Sequence, residues 1–286
     1  MVKSIILTQK QYYKMIFDCV TYKNEDIILD LRLNILDEFV DKFIIVEATK
    51  DHAGNAKKLN FNKEKFKKFE KKIRYIVVDD MPEKVKSFRY NSRWWHENIV
   101  RDIHQRNQIM RGLYDAKDDD LIVISDIDEI PNLNNLNKFN LKKYAVFSQK
   151  FYKYKFNLLS PSQTPYEGSR IVKKKYLISP QWLRHKYSKK IKFWQIHRYF
   201  TNPPVIKNGG WHFSFIGTPE VVKNKIQGYA HGEINTPENT DLDRIKKKME
   251  NNEDVVDNIT LKKVEIDSSF PKYMIKNLDK FKKFII

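Results

Sequence analysis

Along the first half of the chain, short continuous apolar runs alternate with stretches whose apolar residues recur every three or four positions. The runs read as strands covered on both faces, and the recurrence reads as helix. "YYKMIFDCVTY", rich in β-branched and aromatic residues, predicts the first strand. "NEDIILDLRLNILDEFVD" follows, with Ile28, Leu31, Ile35 and Phe39 at helical spacing and Asn24 placed to cap them. "KFIIVEA" predicts a buried parallel strand, "NKEKFKKFEKK" a basic helix and "IRYIVVDD" another buried strand. From Trp94 to Tyr114 the pattern is helical, with Trp95, Ile99, Ile103, Met110 and Leu113 on one face. "DLIVIS" is a fourth apolar run.

Strands alternating with helices in this way predict βαβ units, hence an α/β fold: a mostly parallel central sheet flanked by helices. Ligands of such sheets sit beyond the carboxyl ends of the strands. Three of the runs end there in acid, with Glu47 after "FIIV", Asp79 and Asp80 after "YIVV", and Asp126 after "LIVIS". The second half is less regular. "AVFSQKFYKYKFNLL" predicts a long strand or hairpin, and "SPSQTPYEGSR" a loop. "IKNGGWHFSFIGTPEVVKNKIQGYAHGEIN" predicts a turn, an apolar strand and a helix entered at Thr218-Pro219-Glu220. "FPKYMIKNLDKFKKFII" predicts a terminal amphipathic helix packed back on the body. No repeat or linker divides residues 1–286, so one domain is expected.

Composition narrows the class. With 41% hydrophobic residues and only 8 Gly and 10 Pro among 286, the chain can bury a sizeable core. No apolar run approaches the roughly 20 residues of a membrane span. The stretch opening "MVKSIILTQKQYY" is too short for a secretory signal, so a soluble, cytoplasmic protein is expected. The single cysteine, Cys19, excludes an internal disulfide and reads as a small buried hydrophobe. The net charge of +18 comes mostly from dispersed Lys. Solvated helix faces, contact with an anionic ligand or membrane surface, and nucleic-acid binding all remain open on that count. The last would favour clustered Arg with stacking aromatics, so no nucleic-acid partner is expected. Neither G-x-G-x-x-G nor G-x-x-x-x-G-K occurs, so the phosphates of any nucleotide must be held by other means.

"DDDLIVISDIDEIP" supplies those means. In an extended segment Asp126 and Asp128 share a face, while Ile127 points to the core. Two carboxylates side by side raise each other's pKa unless a cation lies between them. Hard oxygen donors suit Mg²⁺ or Mn²⁺, which take one or two protein carboxylates and keep positions for water and phosphate. Such an ion would hold a diphosphate and stabilise the charge it gains on leaving. A solvated acidic turn is the competing reading. An EF-hand is excluded, because neither its loop glycine nor its bidentate Glu is in place.

These segments carry a resemblance. "IFDCVTYKNEDIILDLRLNILDEFVDKFIIVEATKDHAGNAKKLNF", "HQRNQIMRGL", "DDDLIVISDIDEIP" and "GGWHFSFIG", in this order over roughly residues 14–235, resemble glycosyltransferase family 17. The resemblance implies a GT-A-like fold, with residues of about 14–131 binding a nucleotide-sugar and about 132–286 forming an irregular acceptor-binding half. It implies inverting transfer from a UDP-sugar, most readily UDP-N-acetylglucosamine, with Mn²⁺ or Mg²⁺. Asp126 and Asp128 match the D-x-D, the second as metal ligand and the first through ribose or water. Asn24, Glu25 and Glu47 fall where nucleotide contacts are expected, as do Arg106 and Asn107 of "QRN". His212 is the candidate third metal ligand, with a core histidine as the alternative. Animal members carry a membrane anchor that this chain does not show. A bacterial- or viral-type enzyme is therefore expected, acting on a glycan or lipid-linked oligosaccharide, with a basic surface suited to docking on anionic lipid.

Inverting transfer needs a base beside the acceptor hydroxyl. Glu220, at the start of a helix whose dipole favours its charge, is the first candidate; Glu129, Glu167, His231 and Glu233 are alternatives. Trp211 and Tyr166 are expected to stack on the apolar face of a sugar, with plain core as the alternative for Trp211, and Glu233 is expected to meet the acceptor. Two other classes stay open: a metal-dependent nucleotidyltransferase or nuclease built on the same acids, and a noncatalytic polyanion-binding protein.

Overall fold

The computed structural model describes residues 15–83, 88–90, 93–95, 97–134, 136, 139–188, 202–227 and 234–286. In chain order the elements are β1 (Ile16–Thr21), α1 (Asp26–Leu36), β2 (Lys42–Ala48), β3 (Ile73–Val78), β4 (Phe88–Tyr90), β5 (Arg93–Trp95) and α2 (Glu97–Asn107). Then come β6 (Leu121–Asp126), β7 (Glu129–Pro131), β8 (Tyr144–Lys153), β9 (Leu158–Leu159), β10 (Tyr166–Lys173) and α3 (Pro180–Arg184). The chain closes with β11 (Val205–Ile206), β12 (Gly210–Ser214), α4 (Pro219–Gln227), α5 (Leu242–Glu250), β13 (Lys262–Lys263), α6 (Lys272–Lys276) and α7 (Leu278–Phe281).

Eleven of the strands form one mixed sheet, eight of them in the order β13-β9-β8-β10-β6-β1-β2-β3, with β7, β11 and β12 pairing off this path. The block β6-β1-β2-β3 is parallel, as the continuous apolar runs predict. Antiparallel β10 joins it to β8, on which β11 and β12 then pair in parallel. Alternate residues of the parallel strands face opposite ways and build two cores. Val20, Phe43, Ile45, Leu121 and Val123 pack under α1, Phe66 and Phe69, whereas Cys19, Ile44, Val46, Ile122 and Ile124 pack with Ile109, Leu113 and Leu183. Burial pushes the Cys19 thiol well above its ordinary pKa, so it behaves as the small hydrophobe expected.

Helix α1 buries Ile28, Leu31 and Arg32 together with Leu29, Leu33 and Leu36. Its N-cap is Glu25, not Asn24; the Glu25 carboxylate accepts from the backbone N–H groups of Lys23 and Asn24. Several other expectations shift. "NKEKFKKFEKK" forms 3₁₀ turns over Lys63–Phe69, and β3 is an edge strand with mostly half-buried residues. Trp95 lies in β5, so the helix starts at Glu97, and the residues it buries are Arg101, Gln105 and Arg106. The inward face differs from the apolar stripe because these polar side chains find buried partners: Arg101 donates to the carbonyls of His52, Pro82 and Glu83, Gln105 to that of Val46, and Arg106 to Asp126. "YEGSR" belongs to β10, and the terminal helix is broken into α6, α7 and a 3₁₀ turn.

The C-terminal elements nonetheless pack back as expected. Phe281 and Phe213 both meet the ring of Phe156, and Met274 joins the cluster that holds α1. One core therefore runs from Val20 to Phe281 across both halves. Among the described residues, no helix is long and apolar enough to cross a membrane.

Candidate functional site

The carboxyl ends of β1, β2, β3 and β6 lie at one rim, and "DIDE" turns the chain there. Asp126 ends β6, Ile127 and Asp128 form the turn, and Glu129 opens β7. The segment is thus a tight turn, not extended, although Ile127 does point into the core. Arg32 holds it from below. Its guanidinium makes two bonds to the Asp18 carboxylate, 2.6 and 2.7 Å, and Nη1 donates to the carbonyls of Asp126, Ile127 and Glu129. Both side chains are essentially sealed from water, so the turn is anchored on a buried ion pair.

Above it lies a second charged layer. Arg184, delivered by α3, grips both Glu129 oxygens at 2.6 and 2.9 Å and donates to Asp126 at 2.9 Å. Arg106, delivered by α2, reaches the other Asp126 oxygen at 3.2 Å and is braced by Asp102 and Gln181. Burial alone would raise the Asp126 pKa, but the two guanidinium groups outweigh it and hold the carboxyl down at about 2. Asp128 faces elsewhere. Its Oδ1 lies 3.4 Å from His212 Nε2 on β12, and its Oδ2 accepts from Lys225 Nζ on α4 at 2.9 Å. Burial again opposes ionisation, yet Lys225 and His212 keep Asp128 far below the usual carboxylate range. β12 is registered so that His212 stands opposite Glu129 and the N–H of Phe213 donates to the Asp128 carbonyl. The His212 ring packs against both Phe151 and Tyr166, centroids 4.2 and 4.7 Å away, which also touch each other, and its buried Nδ1 has no hydrogen-bond partner among the described residues.

This geometry changes the argument for a cation. Asp126, Asp128 and Glu129 are already balanced by Arg106, Arg184 and Lys225, so the protein supplies the neutralisation assigned above to a divalent ion. Among the described residues, no group of three or more His, Cys, Asp or Glu is placed to hold a metal. The expected trio of Asp126, Asp128 and His212 therefore reduces to two. Asp128 Oδ1 and His212 Nε2 fit, because donors about 2.1 Å from a shared ion stand about 3 Å apart. Asp126 does not join them while Arg106 and Arg184 hold both its oxygens.

The remaining expected residues divide. The Glu47 carboxylate is fully buried and accepts from Lys57 Nζ, the N–H groups of Asn60 and Phe61, and the Tyr75 hydroxyl. It anchors the loop after β2. Asn24 and Glu25 enter α1, and the Asn107 side chain accepts from the N–H of Gln181 and so docks α3 on α2. Trp211 is a correction: one residue from His212, it points to the opposite face, is 6% exposed, and spends its indole N–H on the Ser269 carbonyl. It is core and offers no platform for a sugar. Tyr166 is half-buried beside His212. Glu220 is exposed on the first turn of α4, where the Thr218 hydroxyl and its own N–H lower its pKa. Of the alternative bases, Glu129 is consumed by Arg184, and Glu167 accepts from the N–H and hydroxyl of Ser188. His231 and Glu233 lie outside the described residues. A cavity of about 630 Å³ near the C-terminal turns, lined by Val264, Ile266, Leu278 and Ile285 among others, includes none of these residues.

Arg32, Arg184 and Lys225 were not singled out from the sequence. Arg32 left a signal, an arginine inside the apolar pattern "DLRLN", which burial permits only opposite an acid. Lys225 left none in a chain so rich in lysine.

Residues 6–285 match the sequence model of a family described as glycosyltransferase family 17. A Rattus norvegicus protein, beta-1,4-mannosyl-glycoprotein 4-beta-N-acetylglucosaminyltransferase, is 22% identical over 309 aligned positions. These cover 96% of this chain and 55% of the rat protein, so the chain spans about half the length of that relative.

Proposed function

The chain belongs to glycosyltransferase family 17, and from that premise we propose that it moves N-acetylglucosamine from UDP-N-acetylglucosamine to a glycan hydroxyl, with inversion and with a divalent cation. The observation that carries this reading is the meeting of Asp128 and His212 at the carboxyl rim of the parallel strands, where open α/β sheets take their ligands. The parallel block followed by a mixed half suits a GT-A-like fold.

In this reading Asp128 and His212 hold Mn²⁺ or Mg²⁺, which when bound supplies positive charge for the leaving diphosphate. Asp126 stays locked by Arg106 and Arg184 and turns its solvent-reachable side, 38% exposed, toward the donor's ribose or an intervening water. Tyr166 gives an aromatic face beside His212 for a sugar ring. Glu220, kept ionised, takes the proton of the acceptor hydroxyl as that oxygen bonds to the anomeric carbon and the bond to UDP breaks. Glu233 is retained as a candidate acceptor contact. A lipid-linked oligosaccharide would suit the +18 charge, since anionic membrane surfaces attract lysine-rich ones.

Purified protein should hydrolyse or transfer from UDP-N-acetylglucosamine only with Mn²⁺ or Mg²⁺, and Asp128→Ala should abolish this while melting as a folded protein. Undiminished turnover in Asp128→Ala would overturn the site. A thermal shift toward nucleoside triphosphates or polynucleotides in place of UDP-sugars would overturn the reaction class.

A further inference from the structure

Lys225 occupies one oxygen of the residue to which the cation is assigned. Its Nζ stands 2.9 Å from Asp128 Oδ2, and also 5.0 Å from the centroid of the Phe215 ring. The lysine side chain is 22% exposed and the aspartate 9%, so the pair lies where charge is poorly screened. A divalent ion on Asp128 would set two further positive charges beside that ammonium. Lysine and metal therefore cannot share Asp128 without cost, and an anion brought in on the metal would relieve that conflict.

Two features let Lys225 change partners without disturbing the fold. Helix α4 is anchored by Val222 and Ile226, both buried in the cluster with Tyr154 and Ile245, so its docking does not depend on the lysine. Phe215 is a bulky residue held at φ 55°, in the left-handed region, in the link between β12 and α4. That costly conformation keeps an aromatic face under the ammonium when Asp128 is withdrawn.

We propose that Lys225 is an exchange residue: it neutralises Asp128 in the ligand-free protein, and passes to the diphosphate of the nucleotide when a divalent cation takes Asp128. Cation and nucleotide then bind cooperatively, each removing the obstacle to the other. This rests on the metal reading above.

Calorimetric titration of Mn²⁺ and of UDP into wild type, Lys225→Gln and Lys225→Arg tests it. Lys225→Gln should bind Mn²⁺ alone about tenfold more tightly, the scale of one charge-assisted hydrogen bond, and bind UDP at saturating Mn²⁺ about tenfold more weakly. Lys225→Arg, which keeps the charge, should stay near wild type in both. Unchanged Mn²⁺ affinity in Lys225→Gln, or unchanged UDP affinity, overturns the exchange while leaving the metal site standing. Failure of Mn²⁺ to bind wild type and Lys225→Gln alike, with UDP still bound, overturns the metal reading and the exchange with it.

Discussion

Asp126 and Asp128 are two positions apart, yet each answers to different neighbours. Asp126 belongs to the arginines of α2 and α3, Asp128 to a histidine of β12 and a lysine of α4. Both carboxyls have folded pKa values below their unfolded ones. Their stabilisation is therefore complete above the unfolded value, about 3.9. It fades as pH falls, for Asp126 through about 2. Urea titrations between pH 6 and 2 should show wild type's advantage over Asp126→Asn constant above about pH 4 and shrinking below it. An advantage that grew on acidification would contradict this assignment of charges. Glu220 is exposed, and the role proposed for it is chemical. Glu220→Gln should lower kcat by about 10²-fold or more with UDP affinity kept, and kinetics with kcat unchanged would move the base elsewhere.

At the scale of elements, the turn is held in place by α1. The Asp18–Arg32 pair is sealed, and Arg32 also serves three carbonyls of the turn. Arg32→Met strands a buried aspartate and should cost about 3–5 kcal/mol in chemical denaturation. Adding Asp18→Leu should recover much of that stability, because an apolar pair can replace a buried ionic one. Activity should not recover, since the turn carbonyls remain without their donor. Recovery of both would mean that the turn needs no anchor. The same scale explains Trp211 and His212. Strand alternation sends neighbours to opposite faces, and pairing with β7 and β8 decides which face is the core. Gly210, at φ 128°, begins that strand where a Cβ would stand 2.1 Å from the Ile130 carbonyl oxygen, so this pairing admits only glycine there.

At the scale of the whole molecule, the N-terminal and C-terminal halves of the chain share a core. Val20, Leu121, Phe213 and Phe281 belong to one cluster. Thermal unfolding should then be a single transition followed equally by aromatic fluorescence and backbone circular dichroism. Phe281→Ala, although remote from the rim, should cost about 3–5 kcal/mol and shift that one transition as a whole. Two separable transitions, with only one moved by Phe281→Ala, would show independent halves.

How much could be read from the chain follows from which forces are local. Continuous apolar runs, helical recurrence and the cap at Thr218-Pro219 depend on near neighbours in sequence. They specified β1, β2, β6, β12, α1 and α4, and placed the paired acids at a strand end. The resemblance of those same segments pointed to the family. Electrostatic partnership is not local. Asp128 meets residues 84 and 97 positions away, and Asp126 is claimed by an arginine 58 positions on. Nothing in "DIDE" says which cations will face it. Only the packing of α2, α3, α4 and β12 around the rim decided that the acids are neutralised by the protein itself, Asp126 by Arg106 and Arg184, and Asp128 by Lys225 and His212 on its two separate oxygens.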